Sequence, residues 1–278
     1  MEGMKAMSFV ILEREGQEKN VLEYPFVPHG AQHLENGMNN YWQQRSSSYS
    51  EQNMAQLFSE KRSAWERLIF SQVEETRKLD ILDIGTGPGF FAILSSLRGH
   101  NVTAADMSPD MLDKARDNAD FIGTPVDFVQ VGHMLPFEDE SFDLIISRDV
   151  TWTLTDPEIQ LRAWADKLRV GGTMLYFDAE WYYYLKNSEY RAVWEENKRR
   201  IIAEGGFIYN KADKLESLAI NLPMTYKERP DWDRQFWHGQ KGFECEVYEN
   251  INTYVYNEKE QMQYELFPEF LTVVRRVF

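Results

Sequence analysis

Leu82-Asp83-Ile84-Gly85-Thr86-Gly87-Pro88-Gly89-Phe90 is the stretch whose reading decides the fold. It follows the apolar residues 79–82 and precedes Phe91-Ala92-Ile93-Leu94, an order that reads as strand, glycine-rich turn, helix. Glycine takes positive φ without steric cost and lets a ligand approach closer than a Cβ would permit. The helix that follows offers unpaired N–H groups and a partial positive charge to an anionic group. A turn of this kind is expected to carry a nucleotide-like cofactor.

Two well-known glycine turns fit it poorly. The dinucleotide fingerprint wants a small residue where Phe90 stands, and Gly89 comes one position early. A phosphate-binding P-loop wants Lys and a hydroxyl residue after its glycines, which Phe90-Phe91 excludes. What remains is Asp-x-Gly-x-Gly-x-Gly, from Asp83 to Gly89. Downstream, Val102-Thr103-Ala104-Ala105-Asp106 reads as a second strand ending in an acid. In a doubly wound sheet an acid at that place can accept both ribose hydroxyls of an adenosine. Ser108 suits an N-cap and Pro109 the first helical position. Further strands are expected over residues 126–131, 141–148, 170–177, 243–248 and 270–277. Helices are expected over 54–70, 161–168, 189–204 and 212–222.

The Asp83–Gly89 turn resembles the first motif of the class I S-adenosylmethionine (SAM)-dependent methyltransferases. The run Asp-x-Ser-x-x-Met-Leu-x-x-Ala-Arg, here Asp106 to Arg116, resembles their second. Strand order and spacing are most similar to the branch that holds the ubiquinone and menaquinone biosynthesis methyltransferases and many small-molecule enzymes. The resemblance covers residues 41–178 well and the last strands loosely. It implies an α/β, Rossmann-like, doubly wound sheet of seven strands, mostly parallel with the last antiparallel. The organisation expected is an N-terminal extension (1–40), a SAM-binding core (41–180), a helical aromatic-rich lid (181–241) and C-terminal strands completing the sheet (242–278). SAM is the cofactor implied, S-adenosyl-L-homocysteine (SAH) its product, and no metal is expected. The activity implied is methyl transfer to nitrogen or oxygen of a small molecule. A protein methyltransferase and a non-catalytic SAM-binding regulatory module are the alternatives.

Carried onto this chain, the resemblance assigns the cofactor to Asp83, Gly85, Thr86, Gly87, Gly89 and Phe90 at the turn, and to Asp106, Met107 and Met111 after the second strand. After the third strand the chain departs from its relatives. Val131-Gly132-His133-Met134 stands where they commonly carry Gly-Asp-Ala, so no carboxylate meets the adenine amino group. Gly132, His133 and Met134 are left as candidates, with a solvated loop histidine as the plainer account of His133. Arg148 is expected to face the cofactor. Upstream, Tyr41, Arg45 and Tyr49 are expected in a cover over it, because a guanidinium binds a carboxylate such as that of methionine through two parallel bonds. Simple packing of those aromatics on the sheet is the competing account.

The fourth strand ends in Ser147-Arg148-Asp149-Val150-Thr151-Trp152, where the transferred methyl group would lie. The Asn-Pro-Pro-Tyr sequence of base-flipping and glutamine N-methyltransferases is missing there, which favours a small acceptor. Substrate candidates are Trp152 and, in the segment after the fifth strand, Trp181, Tyr182, Tyr183, Tyr184 and Tyr209. Most of these would serve equally as the lid's own small core. Methyl transfer needs a base only if the acceptor loses a proton, and His133, Asp149 and His238 are weak candidates. No spacing chooses among them.

Bulk properties agree. The 278 residues can bury one large core with an elaboration. The net charge is −15 and the longest basic block is Lys198-Arg199-Arg200, which counts against nucleic acid as a partner. Cys245 alone makes neither an internal disulfide nor a cysteine-rich metal site. No stretch is apolar enough to insert in a membrane, and residues 1–17 lack a signal-peptide layout, so a cytoplasmic location is expected. Oligomeric state is left open.

Overall fold

The apolar runs of the sequence become strands of a single sheet. A computed structural model describes residues 31–204 and 212–278. Two helices, α1 (Ala31–Leu57) and α2 (Lys61–Phe70), lead into β1 (Asp80–Ile84). Then α3 (Phe90–Leu97), β2 (Asn101–Asp106), α4 (Pro109–Ile122) and β3 (Asp127–Gln130) build one half of the sheet. The chain crosses to β4 (Phe142–Arg148), α5 (Pro157–Ala165) and β5 (Leu168–Asp178) for the other half. Helices α6 (Tyr183–Lys186), α7 (Ser188–Ala203), α8 (Ala212–Ala219) and α9 (Asp231–His238) follow. The chain closes through β6 (Phe243–Tyr248), α10 (Asn252–Val255), α11 (Glu258–Gln263) and β7 (Phe270–Arg276).

The strand order is β3-β2-β1-β4-β5-β7-β6. Leu82 stands between Thr103 of β2 and Ile145 of β4 in parallel register. Only β7 runs against the rest, pairing Tyr176 with Thr272 on one side and Cys245 with Val274 on the other. The order reverses between β1 and β4, which opens a crevice beyond the C-terminal ends of those strands, the place where open α/β sheets bind ligands. The family's expected topology is therefore present.

Parallel strands covered on both faces read as continuous apolar runs, and β1 and β4 do so. Side chains alternate between the faces with period two. In β5, Leu175 and Phe177 face Trp65, Ile69 and Phe91 of the helices on one side. Met174 and Tyr176 face Leu161, Trp164 and Trp237 on the other. Helix α4 begins and ends as the sequence dictates. The Ser108 hydroxyl accepts from the Met111 N–H at 3.4 Å, Pro109 opens the helix, and Gly123 closes it in the left-handed region.

Two helices differ most from expectation. The helix expected over 54–70 is the end of one helix and the whole of another. The chain turns at residues 58–60, where the Ser59 hydroxyl donates to the Gln56 carbonyl at 2.8 Å and accepts from the Lys61 N–H at 3.3 Å. The break lets α2 bury Trp65 and Ile69 on the sheet while α1 takes another course. The helix expected over 161–168 starts earlier, at Pro157, and ends at Ala165. No described helix is long and apolar enough to cross a membrane.

Candidate active site

A cleft with about 1240 Å³ of empty space, part of it open to solvent, lies at the crevice and is lined from β1, β2, β4, α1 and α5. Its floor is the glycine turn, and each glycine has its own reason. At Gly85 φ is +66° and an added Cβ would lie 2.3 Å from Cγ2 of Val150. At Gly87 φ is +53° and the Tyr49 ring lies 3.5 Å from where a Cβ would be. Gly89, at φ +90°, does not line the cleft. It caps α3 and lets α4 approach, since a Cβ there would meet that of Ala115 at 3.1 Å. Its part in the site is thus to hold the turn against α4.

Two carboxylates brace this floor. Asp83 is buried and accepts from the Thr86 hydroxyl at 2.6 Å. Burial pushes its carboxyl up to about 7, against the lowering effect of that hydroxyl. Asp106 accepts from the Gly87 N–H at 2.8 Å and the Ser108 N–H at 2.9 Å. Burial raises its carboxyl while these backbone donors lower it. Each oxygen keeps a further lone pair, so the strand-end acid both fixes the turn and retains acceptors toward the cleft. Met107, Ser108 and Met111 extend the wall beside it.

Helix α1 covers the opposite side. Its residues Glu35, Met38, Asn39, Trp42, Tyr49 and Asn53 all line the cleft and fall on one helical stripe. Tyr41 lies off that stripe and Arg45 at its edge. Tyr41 is buried with its ring edge-on to Trp42, and the Arg45 guanidinium lies 5.9 Å from the Tyr49 ring centre. Neither lines the cleft, so of the three expected cover residues only Tyr49 does. Glu35 ties α1 down, with its Oε1 2.6 Å from Nδ1 of His133 and 3.2 Å from the Thr155 hydroxyl. Val131, Gly132 and His133 line the cleft, whereas the Met134 side chain is exposed outside it. No carboxylate follows β3. The polar side chain of Gln160 and the ring of Trp164, both on α5, reach the wall instead.

Beyond β4 lies the far end. The Arg148 guanidinium stacks 4.6 Å from the Trp65 ring centre and donates to Gln56 at 3.2 Å and to the Tyr256 hydroxyl at 3.5 Å. Asp149 takes φ +57°, held by its N–H on the Phe177 carbonyl and by the Trp152 indole N–H on its own carbonyl, each at 2.9 Å. Its side chain keeps 22 % of its surface accessible and lines the cleft, yet Oδ1 is buried and takes no hydrogen bond from any described residue. Burial pushes this carboxyl up to about 8, opposed by Arg148 and reinforced by Glu269 and Asp178.

The substrate candidates sit elsewhere. Trp152, Trp181, Tyr182 and Tyr183 surround a separate hollow of about 240 Å³. Tyr184 is buried and donates to Glu216 at 2.9 Å. With Leu34, Met38 and Phe267, Trp152, Trp181, Tyr182 and Tyr184 form a small core that joins the segment to α1. The arrangement follows from a buried network that pins the segment beside β5. Arg229 donates to Asp178 at 2.9 Å and to both oxygens of Asp233 at 2.9 and 2.7 Å. The Tyr176 hydroxyl donates to Asp233 at 2.9 Å. His238 is exposed at the end of α9 and does not line the cleft, and Tyr209 lies outside the described residues.

The residues fit an adenosyl cofactor. The floor would be filled by a Cβ, Asp106 retains acceptors, and buried Oδ1 of Asn39 in the cover takes no hydrogen bond from any described residue. Among the described residues no group of three or more His, Cys, Asp or Glu side chains could hold a metal ion.

Comparison with known proteins agrees with this geometry. Residues 82–176 match a family model described as a methyltransferase domain. The ubiquinone/menaquinone biosynthesis C-methyltransferase UbiE of Stenotrophomonas maltophilia is 28 % identical over 200 residues, which cover 68 % of this chain and 75 % of that protein. The release factor glutamine methyltransferase of Chlorobaculum tepidum is 38 % identical over 110 residues, 35 % of this chain. The match spans only 37 % of that relative's length. Among solved structures, the methyltransferase in complex with the Haloferax volcanii Trm112 methyltransferase activator superposes with a TM-score of 0.56 at 18 % identity, over 85 % of this chain and 98 % of that one. Such a likeness shows the fold. The chain carries a SAM-dependent methyltransferase domain over residues 82–176, and it is similar to the ubiquinone/menaquinone biosynthesis methyltransferases.

Proposed function

We propose that this protein moves a methyl group from SAM to a nitrogen or oxygen atom of a small molecule held in the same cleft. The observation that carries the reading is the continuity of that cleft, from the glycine floor and Asp106 to Arg148 and Asp149, under the roof of α1. When bound, SAM supplies a methyl group already activated on a sulfonium. This chain's own residues have to align it and keep water out.

In this reading, the Gly85–Gly87 backbone receives the methionine portion and Asp106 the ribose hydroxyls. Val131, Gly132 and His133 border the base, with Gln160 offering the amide that replaces the missing carboxylate. Trp42, Tyr49 and Asn53 of α1 exclude solvent from the methyl end. On this reading the lid is α1, and residues 181–204 and 212–241 support it from behind. A polypeptide acceptor is disfavoured by the roof and by Ser147-Arg148-Asp149-Val150, which lacks the Asn-Pro-Pro-Tyr sequence of glutamine methyltransferases.

The test is titration calorimetry with SAM and SAH, followed by SAH release from a panel of phenols, catechols and amines. Binding of both cofactors and turnover with a small molecule are expected. Absence of binding would overturn the cofactor reading, and turnover with polypeptides alone would overturn the acceptor.

A further inference from the structure

The methyl end of the cleft carries more buried negative groups than positive ones. Asp149 and Glu269 bring two carboxylates. Arg148 is the guanidinium beside them, with its Nε 3.4 Å from Oδ2 of Asp149. Glu269, just before β7, is buried and accepts from the Tyr256 hydroxyl at 2.6 Å. Its Oε2, like Oδ1 of Asp149, is buried without a hydrogen bond from any described residue. The next carboxylate, Asp178 at the end of β5, shares Arg229 with Asp233, at 2.9 and 2.7 Å, and Lys61, the other cation acting on Glu269, is ion-paired with Glu260. The remaining titratable groups that face Asp149 are Tyr49 from α1 and Tyr256 and Tyr264 near α11. Burial raises all three hydroxyls, so they stay neutral near pH 7. Carboxylates outnumber cations here, and Asp149 is the one that borders the cleft.

We propose that this surplus carboxylate, centred on Asp149, selects the cofactor by its charge, holding the sulfonium of SAM in preference to the neutral thioether of SAH and giving up a proton as it does so. The inference rests on the SAM reading above. An opposite charge nearby favours the ionised form of a carboxyl group. Without a bound sulfonium, burial holds the Asp149 carboxyl well above the ordinary carboxylate range against the opposing Arg148, so a proton is available there. A bound sulfonium lowers it, and the proton passes from the Asp149 carboxyl to the buffer. Once the methyl group has left, the sulfur is uncharged, the carboxyl recovers a proton from solvent, and the product is held more weakly than the substrate. Asp149 and Glu269 thus set the order of affinities, with Glu269 acting through Asp149 as a positioning residue.

Calorimetry decides it without any acceptor. SAM and SAH are titrated into the full chain at pH 7 in buffers of different protonation enthalpy, and again between pH 6 and pH 9. The proteins compared are wild type, Asp149→Asn and Glu269→Gln. Titration of the ligands themselves is common to all three and cancels in the difference. The ratio Kd(SAH)/Kd(SAM) of the wild type is expected to rise about tenfold over that range relative to Asp149→Asn. Proton release on SAM binding is expected to exceed that of the variant by up to one. In Glu269→Gln the midpoint of the rise should move to lower pH, because a neighbour that raises Asp149 is gone. Equal proton counts and parallel pH curves in wild type and Asp149→Asn overturn the proposal. Binding of neither ligand overturns the cofactor reading and this inference with it. If Asp149→Asn fails to fold, the difference between wild type and Glu269→Gln supplies the comparison, and coincident midpoints in those two overturn the proposal.

Discussion

A methyl group added at residue 85 would be forced to within 2.3 Å of Val150 on a backbone already at φ +66°. Gly85→Ala is therefore expected to lower stability by about 2–4 kcal/mol and to weaken SAM binding at least tenfold, measured by thermal melts and calorimetry. Gly132→Ala is the contrast. An added Cβ there meets nothing within 4 Å, so stability should hold to within about 0.5 kcal/mol. Asp83 yields a pH prediction. Its carboxyl is raised by burial to about 7, so the native state binds the proton more tightly than the unfolded chain. That contribution is fully present below the unfolded value near 4 and is lost as pH rises through about 7. Relative to wild type, Asp83→Asn should gain about 2 kcal/mol between pH 5 and pH 8, read from urea unfolding. The floor residues were legible in the sequence because a turn's chemistry is local. The spacing of Asp83, Gly85, Gly87 and Asp106 is enough to place them at the C-terminal ends of β1 and β2, where all four line the cleft. Met134, Tyr41 and Arg45 were not legible, since which of them meets the cleft depends on how a loop or helix is rotated over the sheet. Asn53, Thr155 and Gln160 carry no local signal. The stripe from Glu35 to Asn53 would have found Asn53 only if the segment had been read as one helix.

At the scale of elements, the strands and their order follow from apolar runs, and the sequence shows them. The placement of α1 and of the 181–241 segment does not, because it is decided by contacts between residues far apart in the chain. Ser59 turns α2 away from α1, and Arg229 fastens the segment to Asp178 and Asp233 in a network that no short stretch reveals. Removing one partner of a buried ion pair leaves uncompensated charge behind. Arg229→Ala is therefore expected to cost about 3–5 kcal/mol in denaturant unfolding, while Lys167→Ala, whose partner Asp139 is largely exposed, should cost under about 1 kcal/mol. Similar losses for both would mean that the network does not anchor the segment.

For the whole molecule, a ligand that binds only the native state stabilises it by mass action. At a free SAM concentration of one hundred times Kd the gain is about 2.7 kcal/mol, which for a chain of this size should raise Tm by roughly 5–10 °C. No shift with SAM would count against the cleft as its site. The sheet order has another consequence. Because β7 lies between β5 and β6, β6 has nothing to pair with until β7 has been synthesised. While the chain is still on the ribosome, the edge of β5 stays open and Glu269 is not yet in place behind Asp149. Assembly of the anionic end of the cleft must then await β7, and nascent chains stalled short of β7 should be protease-sensitive and blind to SAM.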